Sequence, residues 1–239
     1  MAENSAGQKS LKSQNLPKLW AFMAANIFIA WSIIVLGDLD FQHIGGVDLM
    51  RGIAVWLQSV AEKGAVLGLG SFLVVVANGI LNSRIKEILV FWRLRDPLPG
   101  ARAFTELVQC DPRIDVQELT RTLEKLPVAP HEQNATWYKI YKKHESEVSV
   151  QDAQRSYLLT RDMTGFTVLI FCMIFIVGLL LALPIKRLFI CLLMPLLEYL
   201  VSAIAARNYG NRFVCDVLAE ESASLKKPRA QSSKQSQIL

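Results

Sequence analysis

Residues 166–206 read FTVLIFCMIFIVGLLLAL-PIKR-LFICLLMPLLEYLVSAIAA. Phe166–Leu183 carries no charge, and Leu188–Ala206 carries one, Glu198. At 1.5 Å per residue an 18-residue helix covers about 27 Å, close to the hydrocarbon thickness of a bilayer. Only Pro184, Ile185, Lys186 and Arg187 separate the two runs, so the pattern predicts a tight antiparallel pair of membrane helices. Pro195 lacks an amide hydrogen and is expected to loosen the second of them.

Two further apolar runs lie upstream. Leu19–Leu36, LWAFMAANIFIAWSIIVL, is free of charge. A secretory signal peptide is the competing reading. The polar stretch before the run is long and no small-x-small cleavage site follows it, so an uncleaved anchor is expected. Gly64–Leu81, GAVLGLGSFLVVVANGIL, contains Gly64-x-x-x-Gly68, a spacing that allows close helix approach and is equally ordinary for glycine in membrane helices. Gly68-x-Gly70 has no following lysine and is no nucleotide loop.

The fold expected is therefore an all-α membrane protein of four transmembrane helices, with a helical cytoplasmic domain between the second and third. Its parts are a tail at 1–18, spans at 19–36 and 64–81, an external loop at 37–63, the inserted domain at 82–163, spans at 164–183 and 188–206, and a tail at 207–239 that is partly disordered after Glu221. Ile53–Lys63 suits a short amphipathic helix at the outer surface, with Trp56 at headgroup level.

Charge sets the orientation. Lys9, Lys12 and Lys18 precede the first span, while Asp38, Asp40 and Asp48 follow it. Arg84, Lys86, Arg93 and Arg95 follow the second span, and Arg207 and Arg212 the last. These place the termini and the inserted domain on the cytoplasmic side of an inner membrane; Lys186 and Arg187 dissent. The net charge of +5 and mean hydropathy of +0.30 are explained by the spans and their flanks rather than by a nucleic-acid surface. Asn82–Asp162 has 13 Lys plus Arg against 12 Asp plus Glu, so the inserted domain is no polybasic arm.

Within that domain, Ile85, Ile88, Leu89 and Trp92 continue a helix from the second span until Asp96-Pro97-Leu98-Pro99-Gly100 ends it. Helices are expected over Ala101–Cys110, over Val116–Lys125 with Asp115 as N-cap and Glu118 three residues on, and over Ala135–Glu147 with Asn134 as cap. Val148–Arg161 leads helically into the third span. Trp137, Tyr138 and Tyr141 beside Lys139, Lys142 and Lys143 read as a core stripe with a basic face, or as a partner-binding aromatic surface.

The chemistry-bearing candidates are few. The four cysteines form no C-x-x-C pair, and no H-E-x-x-H, G-x-S-x-G or G-x-x-x-x-G-K motif occurs, so neither an enzyme, a metal site nor a cofactor is expected. Glu198 is the sharpest residue. A carboxylate in mid-membrane costs about 2.5–3.5 kcal/mol on insertion scales, so it should face water or another helix. Ser202 lies one turn on, and Ser71 or Asn78 of the second span sit at similar depth. Glu198, Ser202 and Asn78 are thus candidates either to line a pore or simply to hold the bundle together.

Phe91-Trp92-Arg93, Leu98-Pro99-Gly100-Ala101-Arg102-Ala103-Phe104, Asp111-Pro112-Arg113-Ile114-Asp115, Trp137-Tyr138 with Tyr141, and Tyr157-Leu158-Leu159 with Arg161-Asp162 together resemble small bacterial membrane proteins of anti-phage islands, including transmembrane effectors associated with retrons. The resemblance spans roughly residues 84–163, and the four expected spans depart from the two of the commonest such effectors. It implies a toxic homo-oligomeric effector that disrupts the inner membrane in abortive infection. Partners such as a reverse transcriptase with its noncoding RNA would hold it silent. A membrane scaffold or sensor that recruits a cytoplasmic partner without forming a pore, and a channel or transporter subunit, are the competing readings. Intramembrane breaks in one span only count against a transporter built of matching halves.

Overall fold

The computed structural model describes residues 11–36, 50–54, 57–58, 72–180 and 182–235, and every regular element among them is helical. Helix α1 spans Leu11–Leu36, and residues 72–80 form α2. They are followed by α3 (Ser83–Phe91), α4 (Val116–Thr122), α5 (Pro130–His144), α6 (Val148–Leu180) and α7 (Ile185–Gln235). Helices α6 and α7 are long and apolar enough to cross a membrane. The first expected span falls within α1, and the second is helical over 72–80. Gly64, Gly68, Ser71 and most of the 53–63 segment lie outside the described residues; 50–54 and 57–58 are helical.

The chain divides into two compact units. The first comprises the described residues up to Lys86 together with Arg161–Ala203. Its inner stripes follow helical spacing: Leu19, Met23 and Ile27 on α1, and Phe166, Ile170 and Ile174 on α6, are all buried. The outer faces are just as apolar. Phe28, Ile80, Leu180, Ile185, Phe189 and Val201 are all largely exposed. A bundle in water does not display so many large apolar side chains, whereas lipid solvates them.

The expected hairpin is present. Helix α6 ends in a Schellman turn, with Leu183 N–H donating to Gly178 O at 3.0 Å and Ala182 N–H to Leu179 O at 3.1 Å. Ala182 takes the left-handed φ of 48° that this turn demands. Leu188 N–H donates to Pro184 O at 3.0 Å and opens α7. At Gly178 the two helices come close: a Cβ there would lie 2.5 Å from Leu188 Cδ1, the movable end of that side chain.

The second unit comprises Glu87–Thr160 and the chain from Ile204 on. Its core joins Phe91, Phe104, Leu119, Trp137, Tyr157 and Phe213, among others. Four expectations change here. The helix expected over Ala101–Cys110 is two short 3-10 turns, Pro99–Arg102 and Leu107–Gln109. Gly100 sits so close to α5 that a Cβ would lie 2.5 Å from Asn134 Oδ1 and 2.8 Å from the Trp137 ring, and this close packing replaces a regular helix. Helix α4 keeps its cap, with Glu118 N–H donating to Asp115 Oδ1 at 3.2 Å, but stops at Thr122 before Glu124 turns to a φ of 58°. Helix α5 starts at Pro130, whose missing amide costs nothing at the first helical position.

The largest change concerns the segment read as a tail. α7 continues past Ala206 to Gln235, and its residues Phe213, Val214, Val217 and Leu218 are core. Polar contacts fasten it to the rest of the unit: Arg113 Nη2 to Asp216 Oδ1 at 2.6 Å, Lys143 Nζ to Glu221 Oε1 at 2.9 Å, and Lys226 Nζ to Asp115 Oδ2 at 2.9 Å. Arg113 also forks onto Asp111 and holds that carboxyl below the ordinary aspartate range.

Gln133 ties the irregular 99–110 segment to α5. Its Oε1 accepts from Phe104 N–H at 3.0 Å, Thr105 N–H at 3.2 Å and the Thr105 hydroxyl at 3.2 Å, while its Nε2 donates to Val128 O at 2.7 Å. Gln133→Leu fills the space and removes the acceptor. It should destabilise the protein by about 1–3 kcal/mol, the cost of buried donors left unmatched. Thermal unfolding of purified full-length protein checks this; an unchanged midpoint would mean the loop is solvated.

Candidate functional site

A polar site lies in the first unit, assembled on one turn of α6. The Lys86 ammonium donates to Asp162 Oδ1 at 3.1 Å, with the two side chains only 6% and 4% exposed. Arg161 Nη2 is 3.3 Å from the same oxygen. Two residues on, the buried Thr164 hydroxyl donates to Ser202 Oγ at 3.3 Å, and Ser202 donates to Tyr199 O at 3.1 Å. Gly165, next in line, admits Asn78: a Cβ there would lie 2.9 Å from Asn78 Oδ1 and 3.7 Å from the Lys86 stem. Asp162, Thr164 and Gly165 thus receive polar side chains from α3, α7 and α2.

Glu198 lies one turn before Ser202 on the same face of α7. The Asn26 side chain of α1 lies beside the Glu198 carboxyl, and Asn26 Nδ2 donates to Phe22 O at 3.1 Å. Glu198 Oε2 and Asn78 Oδ1 are buried acceptors with no hydrogen-bond partner among the described residues. Unsatisfied acceptors are rare in folded proteins and mark places where partners exchange or water enters.

Of the sequence candidates, Ser202 and Asn78 converge on α6, while Glu198 faces Asn26 rather than Asn78. Asn26, Lys86, Asp162 and Thr164 were missed. A signal existed: Lys86 and Asp162 are opposite charges a few residues outside neighbouring apolar runs, and Asn26 is the one amide within its run. The aromatic candidates belong to the second unit. Trp137 is buried, edge-on to Phe213 at 5.3 Å, and stacked on Tyr141 at 5.8 Å. Tyr138 alone of the three is largely exposed.

Carboxylates, hydroxyls, amides and the Lys86 ammonium come together here from five helices. Movement of one helix against another therefore exchanges hydrogen-bond partners, and such exchanges have discrete alternatives. Among the described residues, no three His, Cys, Asp or Glu side chains gather as a metal site would require. Comparison with protein-family models, curated proteins and solved structures found no match to this chain.

Proposed function

We propose that this chain is a multi-pass inner-membrane effector of bacterial anti-phage defence, which disrupts the membrane when its soluble unit is released by a partner. In this reading α1, the 64–81 segment, α6 and α7 supply four spans, and the second unit and both termini are cytoplasmic. The observation that carries it is the polar cluster on α6. A buried ion pair offsets its desolvation only with good geometry, and a carboxylate within a span, as at Glu198, is expensive and marks pathways and switches. The buried Lys86–Asp162 pair serves as the lock of the resting state. Helices α6 and α7 run without a break from one unit into the other, so a partner that grips the soluble residues acts on the same helices that carry Asp162 and Glu198. The sequence resemblance to retron-associated effectors supports the same reading, with a reverse transcriptase and its noncoding RNA as the class of silencing partner and a homo-oligomer as the active form.

The test is membrane potential during induced expression of this chain alone in a bacterium, followed with a voltage-sensitive dye. Depolarisation should precede growth arrest. Glu198→Gln should slow it at equal levels of inserted protein, because the substitution keeps size and removes the ionisable group. Asp162→Asn should hasten it by loosening the lock. An unchanged potential for the parent chain and for Asp162→Asn would overturn the reading and favour a scaffold that makes no pore.

A further inference from the structure

The loop that leaves α3 presents an unusual surface. Trp92 is 54% exposed and Leu94 76%, and they alternate with Arg93 and Arg95, both exposed. Trp92 holds a left-handed φ of 54°, a conformation that costs an aromatic residue strain. Two contacts keep it there. Its N–H donates to Ile88 O at 2.8 Å, and the Arg207 guanidinium lies 3.6 Å from the centre of its ring. Arg207 is itself oriented by donating from Nε to Val90 O. One indole face is thus backed by a cation. The neighbouring acids are Asp96, next in the chain, and Glu106, which reaches Arg93 only at 3.9 Å and is itself half exposed.

We infer that Trp92, Leu94, Arg93 and Arg95 form a binding site for anionic phospholipid, with Arg93 and Arg95 on the headgroup phosphate, Trp92 and Leu94 in the acyl boundary, and Arg207 backing the Trp92 ring. The inference rests on reading the chain as a membrane protein. Charge complementarity selects the occupant. Two exposed cations interleaved with large exposed apolar side chains match a surface that is anionic outside and apolar beneath. The positions in the chain agree: Arg207 is the first charged residue after the 188–206 run, and Trp92 follows the second run by about ten residues.

The experiment uses full-length protein reconstituted in phosphatidylcholine vesicles that contain equal fractions of brominated phosphatidylglycerol or brominated phosphatidylcholine. The readout is the quenching of Trp92, taken as the difference between the parent chain and Trp92→Phe. Brominated phosphatidylglycerol should quench it more strongly, and Arg93→Gln with Arg95→Gln should abolish the preference. Each arginine near an anionic surface is worth about fivefold in local lipid enrichment. Should Trp92→Phe fail to accumulate, the double arginine variant read on total fluorescence makes the same comparison. Equal quenching by the two lipids overturns the inference. So does quenching by aqueous iodide with none by brominated lipid, which a docking surface for an acidic protein would give. Vesicle flotation separates the two readings: protein that fails to float refutes the membrane reading itself, and protein that floats without lipid preference refutes this site alone.

Discussion

Asp162→Ala is expected to cost the first unit about 3–5 kcal/mol, the usual penalty for leaving a buried charge without its partner. Lys86 is nearly inaccessible and Arg161 shares the same carboxylate, so removing Asp162 takes the buried anion from two cations at once. The loss should appear as a fall in the thermal midpoint of detergent-solubilised protein and in the amount of inserted chain. The double variant Lys86→Met with Asp162→Leu should recover most of it, because a buried ion pair replaced by apolar side chains of similar size is near neutral. That recovery separates a lock from a mere stabiliser. If the double variant is stable yet depolarises cells sooner than the parent chain at equal levels, the pair holds the resting state. If it is stable and no faster than the parent, the pair only glues the helices. A single substitution costing under about 1 kcal/mol would mean the pair behaves as an exposed one, screened by water.

How far the sequence can be read depends on how local the determining physics is. Apolar runs report their own helices, since each residue meets the same lipid or core; the α6–α7 hairpin was therefore legible, though its turn falls at Ala182–Leu183 and α7 starts at Ile185, inside the segment read as the connector. Asp115 was legible as a cap because capping is settled within four residues. The 99–110 segment was not. Its turns are imposed by Gly100 against Trp137 and by Gln133 reaching back about thirty residues, contacts that leave no local periodicity. The end of α7 is a different case. Phe213, Val214, Val217 and Leu218 do recur at helical spacing, but Arg207, Asn208, Gly210 and Asn211 precede them and read as a terminus. Gly210 is there because Phe91 and Tyr157 pack against it, a Cβ falling 2.9 and 3.1 Å from them. A residue that signals a helix end in sequence serves here as a contact surface within the helix. The polar cluster was half legible. Glu198 stood out because a charge in an apolar run is costly wherever it faces, whereas Lys86 and Asp162 resembled ordinary flanking charges until their pairing across 76 residues was known.

Trp137→Ala is expected to destabilise the second unit by about 3–5 kcal/mol, the range for truncating a large buried aromatic. The ring is 8% exposed and stands between Gly100, Tyr141 and Phe213, so its removal opens a void that three segments of the chain share. Thermal unfolding followed by near-ultraviolet circular dichroism would register the loss. Tyr138→Ala is the control. It lies on the neighbouring position of α5 but is 51% exposed, and should change stability by no more than about 0.5 kcal/mol. Trp137→Phe should fall near the parent, since the indole N–H is buried with no partner among the described residues and phenyl dispenses with that donor. The three variants together decide between the two sequence readings of this cluster. A core stripe predicts collapse for Trp137→Ala, with Tyr138→Ala and Trp137→Phe silent. A partner-binding surface predicts intact folding in all three and a loss of partner capture greatest at the tryptophan. Packing geometry favours the first, which leaves Tyr138 as the aromatic of this helix available to a partner.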